Sequence, residues 1–241
     1  MDGGTIPLNT RKIVFWFWTT IVIGSIAGAV VGVLIDLDMY LGEGPLNFIL
    51  GVIWMLGISA AISVVAQMGF FAYLTVHRFA LSLFKSVRLW NWIQWVLIAF
   101  VFFDLIFLRY WAYAEPGETL AGYFIMPILL LVFALIIAYW KMKETNRSAF
   151  VPALFFMYVI TTIEWIPALT VEEVNNSKWL WIYLSPLLAA NSWQLLLLHR
   201  LYEKPEGEDG VRKEADNNAK KVGEVKTKNP NQSKKKKKKK K

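Results

Sequence analysis

The chain has 241 residues, 56% hydrophobic and 18% charged, with 26 Lys/Arg against 18 Asp/Glu and no cysteine. That apolar fraction exceeds the ~45–50% of soluble globular chains and argues against a soluble single domain of this length; the lack of cysteine excludes a disulfide framework, a thiolate metal site and a cysteine nucleophile. The net +8 is confined to one end: residues 1–202 carry 11 basic and 11 acidic side chains, residues 203–241 carry 15 and 7, so a neutral apolar body precedes a basic polar tail.

The body resolves into six apolar segments, each long enough for the ~20 residues that a helix needs to cross a bilayer. They run Ile13–Ile35, Leu46–Met68, Leu89–Tyr110, Leu120–Trp140, Ala149–Leu169 and Trp179–Leu198. The expected fold is an all-α integral membrane protein with six transmembrane helices, in a domain spanning 1–202. The first segment is too long for a secretory signal core, and Asp36, Asp38 and Glu43 follow it with no Ala-x-Ala pattern, so it is read as a membrane helix. Within it Gly24, Gly28 and Gly32 recur every fourth position. One helix face is therefore nearly flat, which in lipid permits close backbone approach. Packing inside the protein's own bundle and contact with a foreign transmembrane helix are both open for that face; Gly57 and Ala61 offer a similarly small surface on the second segment.

Between the second and third segments, Gly69 to Arg88 is too long for a turn and too apolar for a solvated loop. Arg78, Ser82, Lys85 and Arg88 are spaced 4, 3 and 3 apart, and Phe79, Ala80, Leu83, Phe84 and Val87 take the other side. This pattern predicts an amphipathic connector helix lying at the cytoplasmic surface, with a basic face at Arg78, Lys85 and Arg88. It serves either as a membrane-surface connector, with anionic lipid headgroups as partners at ~1 kcal/mol per basic residue, or as a docking surface for a cytoplasmic protein.

Two carboxylates lie inside segments: Asp104 in the third and Glu164 in the fifth, each about five residues from a helix end. Charges in a bilayer are costly and usually face the bundle interior, yet at ~7 Å from the helix end each can also snorkel or pair with Arg109 or Lys178. Thr161 shares the Glu164 face, and Asn91, Gln94, Asn191, Ser192 and Gln194 add further intramembrane polar groups. A structural polar cluster and an ion or small-molecule site are both compatible with this set. The tail, 203–241, with Pro205, Gly207, Gly210, Pro230 and a final run of eight lysines, cannot bury a core and is expected to be disordered. It is either a solvated extension or a lipid-associating one; nucleic acid is not expected as a partner, since no aromatic side chain interleaves the lysines to stack on bases.

Orientation follows from Lys and Arg. Arg11, Lys12, Arg78, Lys85, Arg88, Lys141, Lys143 and Arg147 fall on one side of the segments, and only Arg109 and Lys178 on the other. The rich side is cytoplasmic by the positive-inside bias, which puts both termini inside. Trp90, Trp92, Trp111, Trp140, Trp179 and Trp181 fall at segment ends, where indoles favour the headgroup level.

Catalytic patterns are absent from the sequence: neither His77 nor His199 belongs to a His-Glu-x-x-His pair, and there is no Gly-x-Ser-x-Gly elbow or phosphate-cradling glycine loop. Asp104, in Phe102-Phe103-Asp104-Leu105, lacks the tyrosine and glycine context of intramembrane aspartyl proteases. No catalytic residue, cofactor or metal ligand is expected.

The run Gln67-Met68-Gly69-Phe70-Phe71-Ala72-Tyr73-Leu74-Thr75-Val76-His77-Arg78-Phe79, continuing through Phe84-Lys85-Ser86 to Leu89-Trp90-Asn91, resembles the KinB-signalling pathway activation family (KbaA) of spore-forming bacilli, over most of residues 10–202. The resemblance implies a multi-pass plasma-membrane regulator, not an enzyme, that promotes signalling through a KinB-type membrane histidine kinase towards sporulation. It assigns no ligand or catalytic role to Asp104 or Glu164. The competing expectation is a small secondary transporter using those two carboxylates. Such proteins are commonly built from internal repeats, and a 3+3 division here puts Asp104 in the third helix of one half and Glu164 in the second of the other.

Overall fold

The same apolar periodicity that defines the segments builds the helices. In the computed structural model, which describes residues 10–42, 44–114, 117–170 and 177–202, helix α1 covers Thr10–Ile35, a short α2 Leu37–Gly42, α3 Pro45–Phe84 and α4 Val87–Tyr113. A 3₁₀ turn, Leu120–Phe124, leads into α5, Ile125–Glu144, and another, Arg147–Ala149, into α6, Phe150–Phe155. A π-helical turn, Phe156–Ile160, joins α6 to α7, Thr161–Thr170, and α8 covers Ser177–Tyr202. The helical body is one unit, Leu8–Leu201. The expected Lys-rich tail, 203–241, lies outside the described residues.

Five helical stretches among the described residues are long and apolar enough to cross a bilayer: Thr10–Ile35, Pro45–Phe84, Val87–Trp111, Leu120–Glu144 and Arg147–Thr170. The sixth predicted segment is helical throughout, as α8, but is less apolar. Ser185, Asn191, Ser192 and Gln194 interrupt it, and its buried residues, among them Leu187, Ala190, Asn191 and Gln194, face other helices. A helix packed inside a bundle can carry polar side chains that a lipid-facing one cannot.

The predicted connector helix is the main correction. Residues 69–84 continue α3 without a break, giving one helix of 40 residues, about 60 Å long against a hydrocarbon core of ~30 Å. The reason is visible in its buried stripe: Ile62, Ala66, Phe70, Tyr73 and Ala80 follow one another at helical spacing straight through the expected boundary at Met68, and no proline interrupts it. The chain turns only at Lys85, in the left-handed region at φ 52°, and Ser86. The Ser86 hydroxyl accepts from the Leu89 N–H at 3.3 Å, capping α4.

Helix α1 pairs antiparallel with α3: Gly24 meets Ser63, Gly28 meets Ser59 and Gly32 meets Met55. Helix α8 lies on the same side of α1, through Pro186 against Gly24 and Gly28 and the Trp193 Nε1–H donating to Thr19 Oγ1 at 3.0 Å. The core is aromatic where α1, α3 and the π turn meet, with Trp16 and Phe70 ring centroids 5.4 Å apart and Phe70 and Phe156 5.1 Å apart. Outside, large apolar side chains are exposed along the length of the bundle, among them Trp18, Leu34, Ile53, Trp54, Met68, Val96 and Ile136.

Candidate functional site

Two helix faces build a polar cluster inside the apolar body. On α7, Thr161 and Glu164 are three residues apart and so share a face; on α8, Asn191 and Gln194 do the same. All four are buried, Glu164 to 6% exposure. Asn191 Nδ2 donates to Glu164 Oε2 at 2.6 Å and to Thr161 Oγ1 at 2.9 Å, and Gln194 Nε2 reaches Asn191 Oδ1 at 3.4 Å. The other carboxyl oxygen, Oε1, lies against Gly69 of α3, where a Cβ would fall on it. Glu164 thus ties three helices, through a hydrogen bond to α8 and a glycine notch in α3. Glu164 Oε1 and Gln194 Oε1 have no hydrogen-bond partner among the described residues.

Asp104, the other carboxylate within a predicted segment, lies apart from Glu164. Asp104 is half-buried on α4 and makes no hydrogen bond to the Glu164 cluster. Lys178, a candidate partner for either carboxylate, is ion-paired with Asp36 instead. Arg109 lies against Met126 Sδ at 3.8 Å and over the Tyr123 ring.

The Gly24, Gly28 and Gly32 face is occupied within the chain. A Cβ on Gly24 or Gly28 would fall on the Ser63 or Ser59 hydroxyl, and one on Gly32 would crowd Met55 Sδ. Gly57 instead faces open space, and Ala61 is exposed. Arg78, Lys85 and Arg88 are all exposed where α3 meets α4, and they form no ion pair among the described residues. Of the apolar side chains expected opposite them, Phe79, Leu83 and Val87 are exposed, whereas Ala80 is buried and Phe84 stacks on Trp90. The corner therefore offers basic and apolar groups to its surroundings together.

Two further groups of polar contacts lie near the helix ends, where no sequence pattern marks them. His77 Nδ1 accepts from Trp90 Nε1–H at 3.0 Å, and Tyr73 donates to the Pro152 carbonyl at 2.9 Å, so α3 is tied to α4 and α6 beside the basic corner. Lys141, buried, donates to the Leu196 carbonyl at 3.4 Å and lies 3.3 Å from His199 Nδ1, which is 3.9 Å from Glu144. The partners of each pair are remote in sequence, His77 and Trp90 across a corner and Lys141 and His199 on different helices, so local spacing carries no trace of them. Among the described residues, no three His, Asp or Glu side chains gather closely enough to hold a metal ion.

An all-helical body with five stretches fit to cross a bilayer, an exposed apolar flank and an internal polar cluster belongs to the class of helical-bundle proteins with membrane-like exteriors. The family model KbaA, described as KinB-signalling pathway activation in sporulation, matches residues 24–201. The KinB-signaling pathway activation protein of Bacillus subtilis (strain 168) is 42% identical over 202 residues, covering 82% of this chain and all of that protein. The chain belongs to the KbaA family. No solved structure matches it.

Proposed function

We propose that this chain is a multi-pass plasma-membrane regulator that raises signalling through a KinB-type membrane histidine kinase towards sporulation, acting by contact rather than by catalysis. The pathway follows from the family, whose model and relative both carry KinB signalling in their names. The membrane setting is supported by the exposed apolar flank, and the orientation, with both termini cytoplasmic, by the Lys/Arg bias. The observation that carries the contact is the α3–α4 corner, where exposed Arg78, Lys85 and Arg88 sit beside exposed Phe79 and Leu83 on the predicted cytoplasmic side. Such a surface suits an acidic, partly apolar face of a kinase lying on an anionic leaflet. A regulator of this kind biases its partner only through different contacts with the active and inactive states.

Genetics tests the pathway. In strains that retain a single sensor kinase, deleting the gene should reduce sporulation where KinB is the kinase present and leave it unchanged where another kinase feeds the same response. Equal loss in both strains would place the chain downstream of, or apart from, KinB.

A further inference from the structure

At the end of the bundle away from the basic corner, α2, α3 and α8 leave a groove of about 1310 Å³, larger than the ~300–1,000 Å³ that holds a drug-sized ligand. Its two ends differ in chemistry. At the mouth are Asp36, Tyr40, Asn47 and Lys178, with Lys178 and Asp36 ion-paired, Lys178 exposed and Asp36 part-buried. Beyond them the lining is apolar, from Trp54 and Ile182 down to Gly57 and Ala61. Two glycines of α3 shape it: the Tyr40 ring takes the place of a side chain at Gly51, and at Gly57 no heavy atom lies within 4 Å of the Cβ position, so the trough stays open there. From Asn47 to Ala61 the α3 axis advances about 21 Å, more than half of a ~30 Å hydrocarbon core.

We propose that this groove binds a phospholipid whose zwitterionic headgroup carries a primary ammonium, of the phosphatidylethanolamine class. The phosphate lies on Lys178 and the ammonium on Asp36, while an acyl chain runs along Gly57 and Ala61. A polar mouth over an apolar trough of one-leaflet length is the profile of an amphiphile. The mouth selects the headgroup, because it presents one cation and one anion side by side, the complement of a phosphate joined to an ammonium. A purely anionic headgroup would meet the Asp36 carboxylate, and a quaternary ammonium has no N–H to donate to it. The inference rests on the membrane reading above but not on the kinase.

The test uses the full-length protein extracted in mild detergent and titrated, by native mass spectrometry, with phosphatidylethanolamine, phosphatidylglycerol and phosphatidylcholine of identical chains. Wild type should retain the ethanolamine lipid about tenfold better than either competitor, the worth of one charge-assisted hydrogen bond. Asp36→Asn should abolish that preference without unfolding the protein, since an exposed ion pair contributes little to stability. Gly57→Leu with Ala61→Leu adds side chains where no packed atom is displaced at position 57, and should cut retention about tenfold while the thermal midpoint holds. Equal retention of the three lipids by wild type, or unchanged retention by the double variant, would overturn the site. So would cross-linking of the Gly57→Cys variant to a second polypeptide's transmembrane helix with no lipid retained, which would make the groove a helix seat. Resistance of the chain to alkaline carbonate washing checks the membrane reading separately; release from the membrane would end both readings, whereas retention with no headgroup preference ends only this one.

Discussion

At Gly28 the space for a side chain is already taken by the Ser59 hydroxyl, with Pro186 close on the other flank. Gly28→Leu should therefore separate α1 from α3 and α8, at about 1–3 kcal/mol for the overpacking, seen as a lower thermal midpoint and reduced membrane abundance. Gly28→Ala combined with Ser59→Gly returns the missing volume from the facing helix and should recover most of what Gly28→Ala alone loses. Glu164 gives a second residue-level prediction. Glu164→Gln preserves an oxygen for Asn191 Nδ2 and should leave stability nearly unchanged, whereas Gly69→Ala puts a methyl group on the carboxyl and breaks the same contact. In a double-mutant cycle, Gly69→Ala and Glu164→Ala should couple by ~0.5–3 kcal/mol; additive effects would mean that the notch does not hold the carboxyl. The glycine spacing and the two carboxylates within apolar segments, Asp104 and Glu164, were legible in the sequence because each is a local pattern or a rare residue type in an apolar run. Their partners were not: that Glu164 meets Gly69 and Asn191 while Asp104 stays apart depends on how three helices dock.

Single-helix α3 carries the element-level prediction. With no native cysteine, spin labels at Leu46 and Phe79, both exposed, report its shape directly. An unbroken helix puts those backbone positions about 50 Å apart, and a connector folded onto the membrane surface about 35–40 Å. The longer distance is expected. The element's identity as helix was readable from spacing alone, but its continuity was not. The basic face at Arg78, Lys85 and Arg88 dominates the pattern after Gly69, and it masks the stripe of Phe70, Tyr73 and Ala80 that keeps the same face buried. The break is set locally by Ser86, whose side chain caps α4; Ser86→Ala should cost about 1 kcal/mol in thermal or denaturant unfolding.

For the whole molecule, composition and Lys/Arg bias were enough to propose a helical membrane body and its orientation, since both are sums over many residues. The place of α8 was harder to read, because a helix that spans inside a bundle and one that packs against it share the same diluted hydropathy. Cysteine probes decide between them: Glu118 should label from outside, Ser148 should not, and Ser233 should be shielded from the outside only if α8 also crosses. As the proposed contact with the kinase, the α3–α4 corner transmits the regulatory effect. The decisive measurement is sporulation in a strain whose only sensor kinase is KinB, expressing the chain with Arg78→Glu, Lys85→Glu and Arg88→Glu at wild-type membrane abundance. Sporulation should fall to the level of the deletion strain; full sporulation at normal abundance would mean that the corner does not carry the effect.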